Sequence, residues 1–184
     1  LIICPTSVLP NWRSEIEKFA PHLSVTVAWG MNRYSVFGEI KNSDIILTTY
    51  TLVLQNVKIW LKQRFSAVIL DEAQAIKNPR TLLGQVVCRL KADYRLSLTG
   101  TPVENNLQDL WTQFNFLSKG LLKDLSTFNR LYRFPIEREN DKVLLKKLQL
   151  KLKPFILRRT KELVAKDLPE KTIIIKKVEL DGEQ

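Results

Sequence analysis

The segment SAVILDEAQAIKNP, residues 66–79, runs an apolar stretch straight into a pair of acids. Ala67, Val68, Ile69 and Leu70 are followed at once by Asp71 and Glu72. A short unbroken apolar run of this kind predicts a strand buried on both faces, as in parallel sheets. Ligands of such sheets bind beyond the carboxyl ends of the strands, which is where these two carboxylates fall. One carboxylate there can hold Mg²⁺ through water, while its neighbour orients or deprotonates an attacking water. That chemistry suits nucleotide hydrolysis. The same pair also fits a plainer role, opening a loop or the first turn of a helix, where acids are favoured.

Other segments repeat the design. Tyr94, Arg95, Leu96, Ser97 and Leu98 lead into Thr99, Gly100, Thr101 and Pro102, a strand finishing in hydroxyls with a tight exit. A helix is predicted over 105–117, with Leu107, Leu110, Trp111, Phe114 and Leu117 at spacings of three and four. Ile45, Ile46 and Leu47 run into Thr48, Thr49 and Tyr50, and the opening Leu1, Ile2, Ile3 and Cys4 run into Pro5, Thr6 and Ser7. Thr6 or Ser7 is expected to cap a helix carrying Trp12, Ile16 and Phe19 on one face, with Pro10 in its first turn. Four buried strands, each ending in polar residues, would line those residues along one rim of one sheet. Taken singly, each hydroxyl also reads as an ordinary cap or turn residue.

The strings LIICPTSVLPNW, ILTTY, LDEAQAIKNP, LTGTPVENNLQDLW and PFILRRTKELVAKDLPEK occur in this order. Their content and spacing resemble the Swi/Snf-type DNA-dependent ATPases of the helicase superfamily, and DEAQ, FPIERE at 134–139 and LRRTK look most like the bacterial branch. The resemblance covers the chain from Leu1 to about Lys171. It implies an α/β fold: a partial RecA-like three-layer domain with a mostly parallel sheet over 1–118, followed by a basic helical extension and interlobe bridge over 119–171. Residues 172–184 would begin a second lobe or a linker.

The resemblance also implies roles. Asp71 would be the Mg²⁺-linked carboxylate and Glu72 the water-activating one. Gln74 stands where many relatives carry His, so its role would be hydrogen bonding rather than proton transfer. Thr99, Gly100 and Thr101 would relay nucleotide state. Thr6, Ser7, Thr48 and Thr49 would contact the DNA backbone, and Arg158 and Arg159 would sit at the bridge between lobes. The implied cofactors are ATP and Mg²⁺, and the implied partner is double-stranded DNA, bound through phosphates without regard to sequence.

No G-x-x-x-x-G-K-[ST] loop occurs, although phosphate binding in this class depends on one. In the family that loop lies shortly before the segment matching Leu1, and the chain starts with Leu inside a strand. The expectation is a piece of a larger protein whose phosphate loop and second lobe lie elsewhere in the same parent, and which alone hydrolyses ATP poorly or not at all. In relatives the strand matching residues 96–98 lies beside the phosphate-loop strand, so here it would form an edge with unpaired backbone groups.

The charge is +10 overall, and it is uneven. Residues 1–118 carry 12 Lys/Arg against 9 Asp/Glu, whereas 119–184 carry 17 against 10. Helices are predicted over 123–133 and 141–153, the second with Leu144, Leu145, Leu148 and Leu152 on one side and lysines around the rest. It reads either as a solvated amphipathic helix or as a basic wall along a DNA path. Cys4 and Cys88 fit no metal spacing, and the single His22 builds no catalytic cluster. No apolar run approaches the ~20 residues of a membrane span. A cytoplasmic, nucleoid-associated setting is expected on the bacterial reading, a nuclear one otherwise. Two readings besides a translocase stay open at this point: a non-catalytic DNA- or partner-binding module, and a strand-separating helicase.

Overall fold

The computed structural model describes residues 1–30, 38, 40–100 and 107–159. Five parallel strands form one sheet: β1 (Ile2–Cys4), β2 (Val25–Ala28), β3 (Ile45–Thr49), β4 (Arg64–Leu70) and β5 (Lys91–Ser97), in the order β2-β3-β1-β4-β5. The three-residue β1 is central. It pairs Ile2 with Leu47 and Ile69, and Ile3 with Thr48 and Leu70. Parallel pairing points every carboxyl end the same way, so Cys4, Thr49, Leu70 and Ser97 finish along one rim.

Both faces of the sheet are covered, which makes the unit three-layered. Alternation along each strand deals side chains to opposite faces. Ile3, Ile46, Val68 and Leu70 join one buried cluster, while Ile2, Cys4, Leu47 and partly buried Ile69 join another. The second cluster takes Leu9 and Ile16 from helix α1 (Leu9–Phe19). The first takes Val53 from α2 (Tyr50–Gln55), Trp60 from α3 (Val57–Lys62), Val86 and Val87 from α4 (Leu82–Arg89) and Phe116 from α5 (Leu107–Leu117). Of the apolar face expected over 105–117, Leu107, Leu110, Trp111 and Phe114 are buried and Leu117 partly so, while residues 105 and 106 lie outside the described residues.

Three expectations change, and one holds. A fifth strand, β2, extends the sheet beyond β3. Val8, not Thr6 or Ser7, is the N-cap residue of α1, without a side-chain hydrogen bond, because Thr6–Val8 form a single 3₁₀ turn ahead of the helix. Phe19 is 72% exposed, as the last residue of α1 lies beyond the reach of the sheet. As the resemblance implies, β5 is an edge among the described residues, with Tyr94 and Leu96 exposed.

The described residues divide into two compact units, the first Leu1–Leu145 and the second from Lys146 onward. The segment after residue 118 thus begins inside the sheet unit. It supplies α6 (Leu125–Phe128), a π-helical turn (Asn129–Arg133) and α7 (Phe134–Glu139). Hydrogen bonds fasten it to α5: the Trp111 indole N–H donates to the Lys123 carbonyl (3.1 Å), and the Leu107 N–H donates to Glu137 Oε1 (2.7 Å). Helix α8 (Lys142–Leu152) runs across the division, with Leu148 and Leu152 buried and Lys142, Lys146, Lys147 and Lys151 exposed.

One close approach is testable. A Cβ on Gly84 in α4 would lie 2.9 Å from the Asn78 carbonyl oxygen, which belongs to the backbone after the acid pair. Ala in place of a helical Gly ordinarily gains up to ~1 kcal/mol. Here the clash with backbone outweighs that gain, and Gly84→Ala is expected to cost about 1–3 kcal/mol, read as a lower urea midpoint. A stabilised variant would contradict the close approach.

The buried Cys4 gives a second test. Burial, with help from the Asp71 charge, pushes its thiol from 9.0 up to about 11. The folded state therefore holds this proton more tightly than the unfolded chain does. Its contribution to stability is complete below pH 9.0 and is lost as pH rises through about 11. Urea melts across that window should show a shallower fall for Cys4→Ala than for the unsubstituted chain; equal slopes would count against a buried thiol.

Candidate functional site

Strand β4 ends at Leu70, and Asp71 takes the first position past the rim. Its main chain is held from two sides. The Asp71 N–H donates to the Ile3 carbonyl (2.9 Å), and the Tyr50 hydroxyl donates to the Asp71 carbonyl (2.6 Å). Its carboxylate is held too: Oδ1 accepts the Glu72 N–H (2.9 Å) and Oδ2 accepts the Trp12 indole N–H (2.8 Å). An ionised carboxylate offers about four lone-pair sites, so two remain for other partners.

Glu72 turns the chain. Its φ of 51° and ψ of 53° lie in the left-handed region, a conformation that costs a non-glycine residue roughly 1–2 kcal/mol. Strain of this kind concentrates at functional sites. The turn leads into a short 3₁₀ segment, Ala73–Ile76, in which the Ala73 N–H donates to the Leu98 carbonyl (3.0 Å) and ties the loop to the end of β5. Beyond it the side chains form a row: Thr99 Oγ1 donates to Gln74 Oε1 (2.8 Å), and Gln74 Nε2 donates to Glu72 Oε2 (2.6 Å). The amide passes a hydrogen bond from one strand end to the next without itself changing charge.

The structure brings Asp71, Glu72, Gln74 and Thr99 together as the sequence predicts. Gly100 follows Thr99 and is exposed, while Thr101 lies outside the described residues. Thr6 and Ser7 are exposed on the turn after β1. Thr48 and Thr49 end β3 on the same rim but depart from the expectation that their hydroxyls face DNA. Both are buried. Thr48 Oγ1 donates to the Ala28 carbonyl (3.3 Å), and Thr49 Oγ1 accepts the Leu52 N–H (3.3 Å) as the N-cap of α2. Arg158 and Arg159 are exposed residues of the second unit.

Two side chains at Asp71 were not singled out by sequence reasoning. Trp12 reads there as one of three apolar residues on a helix face, and Tyr50 as the end of a strand motif. The missed signal is polar: a half-buried indole N–H or phenol needs a partner. Tyr50 is further marked by its hydroxyl, whose pKa is raised by burial and then by the Asp71, Cys4 and Glu72 charges, so it stays a protonated donor.

Asp71, with one donor on each oxygen and lone pairs to spare, would fit a magnesium ion. Mg²⁺ keeps several waters and commonly takes only one or two carboxylates. Among the described residues no group of three or more His, Cys, Asp or Glu could cage a metal directly. A single oriented carboxylate would suit a water-mediated role for Asp71.

The model of the SNF2-related domain matches residues 1–184. The YwqA protein of Bacillus subtilis (strain 168) is 40% identical over 189 residues, covering 100% of this chain and 20% of its own length. The TATA-binding protein-associated factor MOT1 of Saccharomyces cerevisiae is 36% identical, over 94% of this chain and 10% of its own length. The SWI2/SNF2 ATPase core of Sulfolobus solfataricus, solved in complex with dsDNA, superposes with a TM-score of 0.82 at 42% identity, over 91% of this chain and 35% of that one. The chain spans about one fifth or less of the length of these curated relatives. The parallel α/β sheet, the row of rim residues and a match over the full sequence lead to one conclusion: this chain belongs to the SNF2-related domain family.

Proposed function

We propose that this chain forms part of the first motor lobe of an ATP-driven translocase on double-stranded DNA, one that displaces or remodels bound proteins. The observation that carries the reading is the hydrogen-bonded row at the rim, Thr99 to Gln74 to Glu72, with Asp71 held beside it. Support comes from the SWI2/SNF2 ATPase core solved with dsDNA and from relatives such as MG018 of Mycoplasma genitalium, named as an ATP-dependent helicase.

In this mechanism the chain's own residues do four things. Asp71 offers an oriented carboxylate that would hold magnesium, directly or through water. Glu72 accepts a proton from the attacking water, its free geometry narrowed by the Gln74 amide. Gln74 carries no proton itself and ties Glu72 to Thr99. Thr99, followed in the sequence by Gly100 and Thr101, would pass a change at the nucleotide to the exit from β5. When bound, the magnesium–ATP complex supplies the phosphoryl group and neutralises its developing charge. A phosphate loop and a second lobe of the same protein, the latter approached through Arg158 and Arg159, complete the site. Thr6 and Ser7, exposed on the rim, are the hydroxyls best placed for DNA phosphates, with the segment around Thr48 and Thr49 contributing shape rather than side-chain hydroxyls.

In the full-length protein, Glu72→Gln is expected to keep ATP binding and lower kcat by roughly 100-fold or more, the scale of a lost general base. Near-normal hydrolysis would end the water-activating role. Hydrolysis by the unsubstituted protein should rise with duplex DNA.

Duplex affinity should also fall steeply with salt and ignore sequence. About six phosphate contacts would lower it by roughly a thousandfold between about 50 and about 200 mM salt. Salt-independent or strongly sequence-selective binding would count against backbone tracking.

A further inference from the structure

We propose that Trp12 is a positioning residue for Asp71, its indole N–H fixing the carboxylate from α1 while the Tyr50 hydroxyl fixes the carbonyl of the same residue from α2. The inference rests on the ATPase reading above and deepens it.

Asp71 lies past the end of β4, where the strand ladder no longer constrains its side chain. A lone carboxylate there would rotate freely. Instead each oxygen carries one donor, Glu72 N–H on Oδ1 and Trp12 Nε1–H on Oδ2. The two donors differ in kind. The Glu72 amide belongs to the same loop and moves with it. The indole comes from a helix seated on the sheet through buried Leu9 and Ile16, and Trp12 packs against that cluster. Trp12 is thus the anchor that refers the carboxylate to the rigid part of the fold. Tyr50 does the same for the main chain, since α2 is seated through buried Leu52 and Val53.

The chemistry of these donors also matters. Indole and amide N–H groups are neutral and donate only, so they orient the carboxylate without cancelling its charge. An Arg or Lys at position 12 would compete with a divalent cation for the same oxygens. Tyr50 reaches the carbonyl and not the carboxylate, so it leaves both Asp71 oxygens to the amide and the indole. Outer hydrogen-bond partners that orient a metal-facing carboxylate typically matter by roughly 10- to 100-fold in metal affinity or activity.

A purely structural alternative is that Asp71 merely satisfies a half-buried indole. The two differ in what they predict for magnesium. In the full-length protein, equilibrium binding of a fluorescent ADP analogue would be measured with saturating Mg²⁺ and with EDTA, for Trp12→Phe, Tyr50→Phe and a variant carrying β-(3-benzothienyl)alanine at position 12. The last keeps the bicyclic ring and replaces only the N–H by sulfur, so it serves even where Trp12→Phe fails to fold. The ratio of the EDTA to the Mg²⁺ dissociation constant is expected to fall about 10-fold in both Trp12 variants and less in Tyr50→Phe, with the EDTA value changed by no more than about two-fold. A ratio unchanged in the ring-keeping variant, whatever its melting temperature, overturns the positioning role. No Mg²⁺-dependent gain in the unsubstituted protein would instead sink the ATPase reading, and the inference with it.

Discussion

The parallel pairing of β1 with both β3 and β4 is the constraint on which the rest depends. Only three residues long, β1 is buried throughout, with Ile3 and Cys4 fully inaccessible. Its pairing sets Cys4 level with Thr49, and Ile3 level with Leu70. Three chain exits therefore leave the sheet at one height: the Thr6–Ser7 turn, the Tyr50 helix and the acid loop. Moving β1 by one residue would exchange its two faces and send Ile3 to the α1 side. The Asp71 main chain would then lose its register with Ile3, and the indole of α1 its line to the carboxylate.

What the pairing places, hydrogen bonds then orient. Asp71 is reached by donors from three segments, and Glu72 by a donor that itself answers to the end of β5. Except for Glu72 and Asp71, the members of this row are neutral. Neutral partners fix direction while leaving the negative potential available to a cation, which paired arginines would not do. The left-handed backbone at Glu72 belongs to the same logic. A relaxed turn would carry the carboxylate away from Gln74, and the row holds it in a conformation that the residue alone disfavours.

Legibility in the sequence tracked burial on two faces. Strands β1, β3 and β4 are short apolar runs because helices cover both sides, and such runs stand out. Strand β2 alternates, Val25 and Val27 against Thr26, and lies at an edge with only Ala28 fully buried, so its signal is weak. The candidate residues were legible as a set because strand ends announce themselves: Asp71 and Glu72 follow the apolar run from Ala67 to Leu70, and Thr99 follows Leu98 just past β5. Their individual roles were less so. Thr48 and Thr49 share the pattern of Thr6 and Ser7, yet one pair is buried and the other exposed. The difference lies in the next stretch of backbone. After Thr49 a helix starts at once and takes its hydroxyl as a cap, whereas Pro5 and a 3₁₀ turn carry Thr6 and Ser7 outward.

Gln74 shows how far a single residue type can narrow a mechanism. An imidazole at this position could exchange protons with Glu72 near neutral pH; an amide cannot. It can only donate on one side and accept on the other, and both capacities are used, toward Glu72 and from Thr99. Reversing the amide would set its oxygen against the Glu72 carboxylate, and its NH₂ group would meet a hydroxyl that can accept as well as donate. The carboxylate therefore fixes the direction of the whole row. Charge at Glu72 favours the present sense of every bond back to Thr99, and loss of that charge would remove the preference. On the proposed reading, a proton taken up by Glu72 would be felt at the exit from β5 without any proton crossing Gln74, and polarity rather than proton transfer would be the signal that one strand end sends to the next.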